Sequence, residues 1–88
     1  MENFIQHKII EIQTLSDYLI KLIFDDNSDY IFDLKEYFTV DSVFNSLKDI
    51  NKFNNVRITD NGRALEFPDE LDFCSDSLWM KANKIFYY

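Results

Sequence analysis

Between Tyr18 and Phe24 the chain sets Ile20, Leu22 and Phe24 at every second position. A helix would scatter those side chains around its axis, whereas a half-buried β-strand sends all of them to one side. Residues 18–24 are therefore expected to form a strand. Residues 7–15 carry Ile9, Ile10 and Ile12, and Tyr30-Ile31-Phe32-Asp33-Leu34 resumes the β-rich pattern. Between them, Asp25-Asp26-Asn27-Ser28-Asp29 is a turn by composition, because short polar side chains bond their own backbone there. A three-stranded antiparallel meander follows.

After residues 35–38, either Thr39 or Asp41 is expected to cap a short helix in which Val43, Phe44, Leu47 and Ile50 make one apolar face. Residues 54–60 carry Val56 and Ile58, and residues 63–67 return with Leu65 and Phe67. Asn61-Gly62 between them is the strongest two-residue hairpin signal in the chain and predicts a type I′ turn. Pro68 cannot donate to a strand ladder, so residues 69–73 are expected to be irregular until Ser75 caps a last helical turn through Leu78, Trp79 and Met80. The predicted fold class is α+β: a three-stranded antiparallel meander, a short helix, a β-hairpin and a short C-terminal helix, in the order ββ-β-α-ββ-α. Residues 1–88 form one domain in this reading. Ile85, Phe86, Tyr87 and Tyr88 near the end are expected to add an edge strand to the chain's own sheet; the alternatives are strand addition to a second copy, giving a homodimer instead of a monomer, and a free tail.

Length and composition narrow the function. A chain of 88 residues buries only about 60–65% of the surface its unfolded form exposes, so it can build one core. The nine Phe, five Tyr and one Trp supply that core with large apolar side chains. The formal charge of −7 repels a phosphate backbone and anionic lipid, which argues against direct nucleic-acid or membrane binding. Apolar runs such as Tyr18-Leu19-Ile20 are too short to span a bilayer. Met1-Glu2-Asn3 opens with an acid and no long apolar run follows, so no signal peptide is expected. Cys74 is the only cysteine, which excludes an internal disulfide and fits a reducing cytoplasm.

The succession Asp17-Tyr18-Leu19, Phe24-Asp25-Asp26, Phe32-Asp33-Leu34, Val43-Phe44-Asn45-Ser46-Leu47, Phe53, Val56, Phe67-Pro68, then Asp72 before Leu78 resembles the small bacterial domains of domain-of-unknown-function family twenty-four forty-two. The resemblance runs from about Lys8 to Trp79. Phe67 stands where that family usually has Trp, and Asp69-Glu70-Leu71 where Asn-Gly-Ala is common. The turn after Pro68 is therefore expected to differ in shape, since Gly permits a positive φ that Glu resists. The resemblance implies no established activity. Its members occur alone, fused to a helix-turn-helix domain, or beside a second small domain in a pair resembling a toxin–antitoxin module.

Candidate chemistry is sparse. His7 is the only histidine and reads as a surface residue near a chain end; a triad or a zinc site would need partners this sequence does not supply. Cys74 reads as a small hydrophobe, not a nucleophile. Asp25, Asp26 and Asp29, and further on Asp69, Glu70, Asp72 and Asp76, lack calcium-loop spacing and read as solvated turns. No catalytic, cofactor-binding or metal-ligating residue is assigned. Asp33, Phe67, Asp72 and Trp79 are the positions for structural or partner-binding roles: Asp33 can accept backbone N–H bonds from the segment after its strand, and Trp79 can lid the core. The expected function is that of a non-enzymatic acidic module that binds a basic protein partner in a toxin–antitoxin-like pair. The alternatives are an inhibitor that mimics the charge of nucleic acid and a small enzyme with an unrecognised site.

Overall fold

A computed structural model describes residues 7–83. The edge strand expected of residues 83–88 lies outside the described residues except for Asn83. Strands β1 (Ile9–Thr14), β2 (Leu19–Phe24) and β3 (Asp29–Asp33) form one antiparallel sheet in the order β1-β2-β3. The alternation in β2 does what its spacing requires, since Ile20, Leu22 and Phe24 are buried and Lys21 and Ile23 between them are not. Phe32 opposite Ile20 and Tyr30 opposite Leu22 extend the apolar face onto β3, which leaves Asp29, Ile31 and Asp33 on the outer face. A register shift between Ile9 and Glu11 turns Ile10 outward.

Strands β4 (Arg57–Thr59), β5 (Ala64–Phe67) and β6 (Leu71–Cys74) form a second antiparallel sheet. β6 lies where an irregular stretch was expected. Pro68 does end β5, but it does so inside the three-residue loop Pro68-Asp69-Glu70, after which Leu71 pairs back with Phe67. Asp69 and Glu70 both take positive φ, 67° and 62°. The left-handed turn is thus made without glycine, at a steric cost borne by a glutamate Cβ. Ser16-Asp17-Tyr18 joins β1 to β2 in the same way, with φ of 61° at both Asp17 and Tyr18.

The hairpin at Asn61-Gly62 exists, but its turn is not the two-residue type I′ turn predicted. Thr59 pairs with Ala64, so four residues form the loop, and Asp60, Asn61 and Gly62 are consecutively left-handed, at φ of 52°, 60° and 92°. The close approach of another chain segment accounts for the glycine: a Cβ on Gly62 would lie 2.9 Å from the Ile9 carbonyl oxygen and 3.0 Å from Lys8 Cβ. The loop rests on the start of β1 and couples the two sheets.

The segment between the sheets also departs from expectation. Neither Thr39 nor Asp41 caps it; the Ser42 hydroxyl accepts from the Phe44 N–H at 3.1 Å. Residues Val43–Lys48 form a 3-10 helix, and Asp49 then caps α1 (Ile50–Asn54) by accepting from the Asn51 N–H at 3.0 Å. With three residues per turn, Phe44 and Leu47 face inward together, and Val43 and Ile50 are left exposed. α2 (Ser75–Ala82) follows β6 directly. Its N-cap is Cys74, while Ser75 is buried and donates its backbone N–H to the Arg63 carbonyl at 2.8 Å.

One core joins both sheets. Phe32 of β3 meets Phe73 of β6 edge-to-face at 5.1 Å, Phe73 stacks on Phe44 at 5.1 Å, and Phe53 of α1 stacks on Phe67 at 6.3 Å. Fully burying each such ring contributes about 1.5–3 kcal/mol. Lys81 of α2 crosses to the first sheet, where its ammonium meets Glu36 Oε1 at 2.7 Å and lies 5.0 Å from the centre of the Tyr37 ring. The Glu36 carboxylate raises the Lys81 pKa above its ordinary value.

Candidate functional site: an acidic surface beside Trp79

The turn between β2 and β3 brings Asp26 to α2. Asp26 Oδ1 accepts from the Ser28 backbone N–H at 2.9 Å and from the Ser28 hydroxyl, and Oδ2 accepts from the Trp79 indole N–H at 3.0 Å. The Ser28 hydroxyl, the Ser28 N–H and the Trp79 indole, with a smaller contribution from the His7 charge, hold the Asp26 carboxyl at about 2. The His7 ring stacks on Trp79 with centroids 3.6 Å apart and planes 2° from parallel, and the His7 backbone N–H donates to Asp76 Oδ1 at 2.8 Å. His7 is therefore half-buried against α2, not a loose surface residue.

From Asp76 the acidic surface continues into a shallow cleft of about 310 Å³ lined by Asp60, Arg63, Asp72, Cys74 and Asp76 among others. Lys8, whose carbonyl accepts from the Asp25 N–H at 2.8 Å, ties the Asp25 turn to the same surface. Carboxylates from the Asp60 loop, β6 and the start of α2 thus gather at this cleft, while Asp26 of the β2–β3 turn reaches α2 at Trp79. Among the described residues no group of three His, Cys, Asp or Glu side chains could hold a metal ion.

The four residues singled out from sequence fall in different places. Asp72 lines the acidic cleft, and Trp79 lies beside it on α2 against Asp26 and His7. Phe67 is buried in the core beneath a second cleft, of about 420 Å³, that it lines with Arg57, Glu66, Pro68, Asp69 and Glu70. Asp33 lies at the end of β3, where its Oδ1 accepts from the Lys35 N–H at 3.0 Å and meets the Lys35 ammonium at 3.1 Å. Desolvation works against the charge on Asp33, but the bonds and charge of Lys35 outweigh it and hold the carboxyl below its ordinary value. The contributions of Asp26, Asp60, Asp76 and His7 were not read from sequence. The run Asp25-Asp26-Asn27-Ser28-Asp29 marks a turn, and nothing in it names Trp79, 53 residues away, as its neighbour.

Six strands among the described residues in this element order, a carboxylate capping the segment after β3 and an aromatic α2 closing on the first sheet define a class of small two-sheet α+β domains. Residues 9–84 match the family described as Protein of unknown function (DUF2442), and the chain belongs to that family. No curated protein and no solved structure matches it. No helix among the described residues is long and apolar enough to cross a membrane.

Proposed function

We propose that the domain is a non-enzymatic protein-interaction module whose acidic surface steers a basic protein partner, as one member of a toxin–antitoxin-like pair acting in the cytoplasm. The observation that carries this reading is the gathering of Asp60, Asp72 and Asp76 at one shallow cleft, on the same α2 whose half-buried Trp79 bonds Asp26. Like charges placed together raise the free energy of the isolated domain and are relieved when a cationic surface docks. The formal charge of −7 adds long-range attraction to the same effect. A half-buried Trp on the helix beside such a surface supplies the kind of aromatic anchor on which binding energy concentrates.

The test is capture of partners from the native host by the full-length chain at low and at high salt, beside a variant with Asp60, Asp72 and Asp76 replaced by Lys. The expected result is a basic protein retained at low salt, released at high salt and lost from the variant. Capture of the same proteins by both chains would refute the reading.

A further inference from the structure

β3 ends the first sheet, since it pairs with β2 and with no other strand among the described residues. The Phe24 N–H donates to the Ser28 carbonyl at 2.9 Å, which makes 24 and 28 a hydrogen-bonded pair. Hydrogen-bonded and non-bonded pairs alternate along an antiparallel ladder, so Leu22 with Tyr30 and Ile20 with Phe32 also exchange bonds. The N–H and C=O groups of Asp29 and Ile31, and the N–H of Asp33, consequently point away from β2, toward the open edge, while the Asp33 carbonyl opens the 3-10 helix that follows. The side chains of the same three residues stand on the outer face, in the repeating order acid, apolar, acid. Ile31 is 51% exposed, a large apolar side chain left in water halfway along an unpaired edge.

We propose that this edge takes an extended basic segment of a protein partner as an added strand, with a cationic residue opposite Asp29, an apolar one opposite Ile31 and a second cation opposite Asp33. The proposal rests on the protein-interaction reading above and places the partner's docking strand. Three observations select the occupant. Directly opposed side chains in an antiparallel pair are about 4.5–5.5 Å apart, so cations opposite Asp29 and Asp33 form cross-strand pairs. Both contacts that Lys35 makes with Asp33 use Oδ1, which leaves Oδ2 for a second cation. A second copy of this chain fits badly, because Asp29-Tyr30-Ile31-Phe32-Asp33 is symmetric in charge about Ile31 and antiparallel self-pairing sets Asp29 of each copy against Asp33 of the other. The edge thereby discriminates against itself and in favour of a basic strand. The free edge of β6 offers less: only Asp72 and Cys74 carry backbone groups outward, with no exposed apolar side chain between them.

The experiment is a titration of the full-length, nitrogen-15-labelled chain with a synthetic peptide alternating Thr with Lys, Val and Lys, followed by amide chemical shifts; a peptide with Glu in place of Lys is the control. The expected result is movement of the Asp29, Ile31 and Asp33 amides and slowed exchange there with the Lys peptide only. Replacing Asp29→Lys together with Asp33→Asn, which keeps an acceptor for the Lys35 N–H, should weaken that binding by about tenfold or more. If the double variant does not give a folded spectrum, Asp29→Lys alone, at an exposed position, carries the comparison. Equal binding by wild type and variant overturns the assignment. Shifts centred on Asp60, Asp72 and Asp76 instead overturn it while leaving the acidic-surface reading standing. A Lys peptide that moves no amide at low salt overturns both.

Discussion

Replacing Gly62 by Ala tests how the two sheets are coupled. Two penalties add at this position. An L residue at φ of 92° costs about 1–2 kcal/mol through the clash of its Cβ with its own backbone. That Cβ would also sit 2.9 Å from the Ile9 carbonyl oxygen and 3.0 Å from Lys8 Cβ, so the start of β1 has to move, which in a packed site costs about 1–3 kcal/mol. The stiffer unfolded chain of the Ala variant returns only about 0.4–1 kcal/mol. The expected loss is therefore about 2–3 kcal/mol, read as a fall in melting temperature of about 10–20 °C for a domain of this size. Urea and thermal melts of wild type, Gly62→Ala and Gly62→Asn measure it. Asn tolerates positive φ better than Ala but carries the same Cβ, so a similar loss in both variants assigns the cost to the contact with β1. Melts of the Ala variant within about 0.5 kcal/mol of wild type would refute both penalties.

Glu70→Gly relieves a left-handed glutamate at φ of 62° and is expected to stabilise the domain by about 0.5–1 kcal/mol after the entropy of a glycine is set against it; a loss in urea midpoint would contradict this. Asp26, held at about 2 against an ordinary 3.8, favours the folded state fully above 3.8, and that contribution disappears as pH falls toward 2. Wild type should therefore lose its advantage over Asp26→Asn across that window, and a stability difference independent of pH would show that the carboxylate charge is not used. Melts with and without EDTA should superimpose, and a drop of more than a few degrees on chelation would reveal a metal. Asp41→Asn and Asp60→Asn keep residues that tolerate the left-handed corners at φ of 62° and 52°, so each should leave the melting temperature unchanged within a few degrees.

The first sheet was legible because Ile20, Leu22 and Phe24 alternate without interruption and the Asp-rich run beyond them marks a turn by its composition. β6 was not, since Leu71-Asp72-Phe73-Cys74 offers only two alternations and Pro68 reads as a terminator unless the turn it opens is already known. The Asn61-Gly62 hairpin was located correctly and its loop was not, because those residues suit a run of left-handed corners as well as a type I′ turn. The choice between them is made by Ile9 and Lys8, whose approach to Gly62 is a tertiary fact. Val43 and Ile50 looked buried under one α-helical spacing and are exposed because the segment is split, residues 43–48 winding as a 3-10 helix and Ile50 opening α1. The capping role of Asp33 was readable from its place at a strand end. The meeting of His7, Asp26 and Trp79 was not, since spacing along the chain carries no trace of it.

The acidity of the chain has two sources that the structure separates. With a single glycine in the sequence, most left-handed corners fall to Asp and Asn: among the described residues Asp17, Asn27, Asp41, Asp60, Asn61 and Asp69 all take positive φ, joined only by Tyr18, Glu70 and Gly62. Asp is tolerated there because its short side chain can bond nearby backbone, so part of the negative charge is a consequence of turn chemistry. Asp33 and Asp49 cap helical segments, and Asp26 bonds Ser28 and Trp79. Asp29 and Asp72 take no positive φ and cap no helical segment. Both lie instead on edge strands, β3 and β6, where a carboxylate resists pairing with another copy and attracts a cationic strand. These two charges therefore sit on strand edges, one in each sheet, where the fold leaves backbone open to a partner.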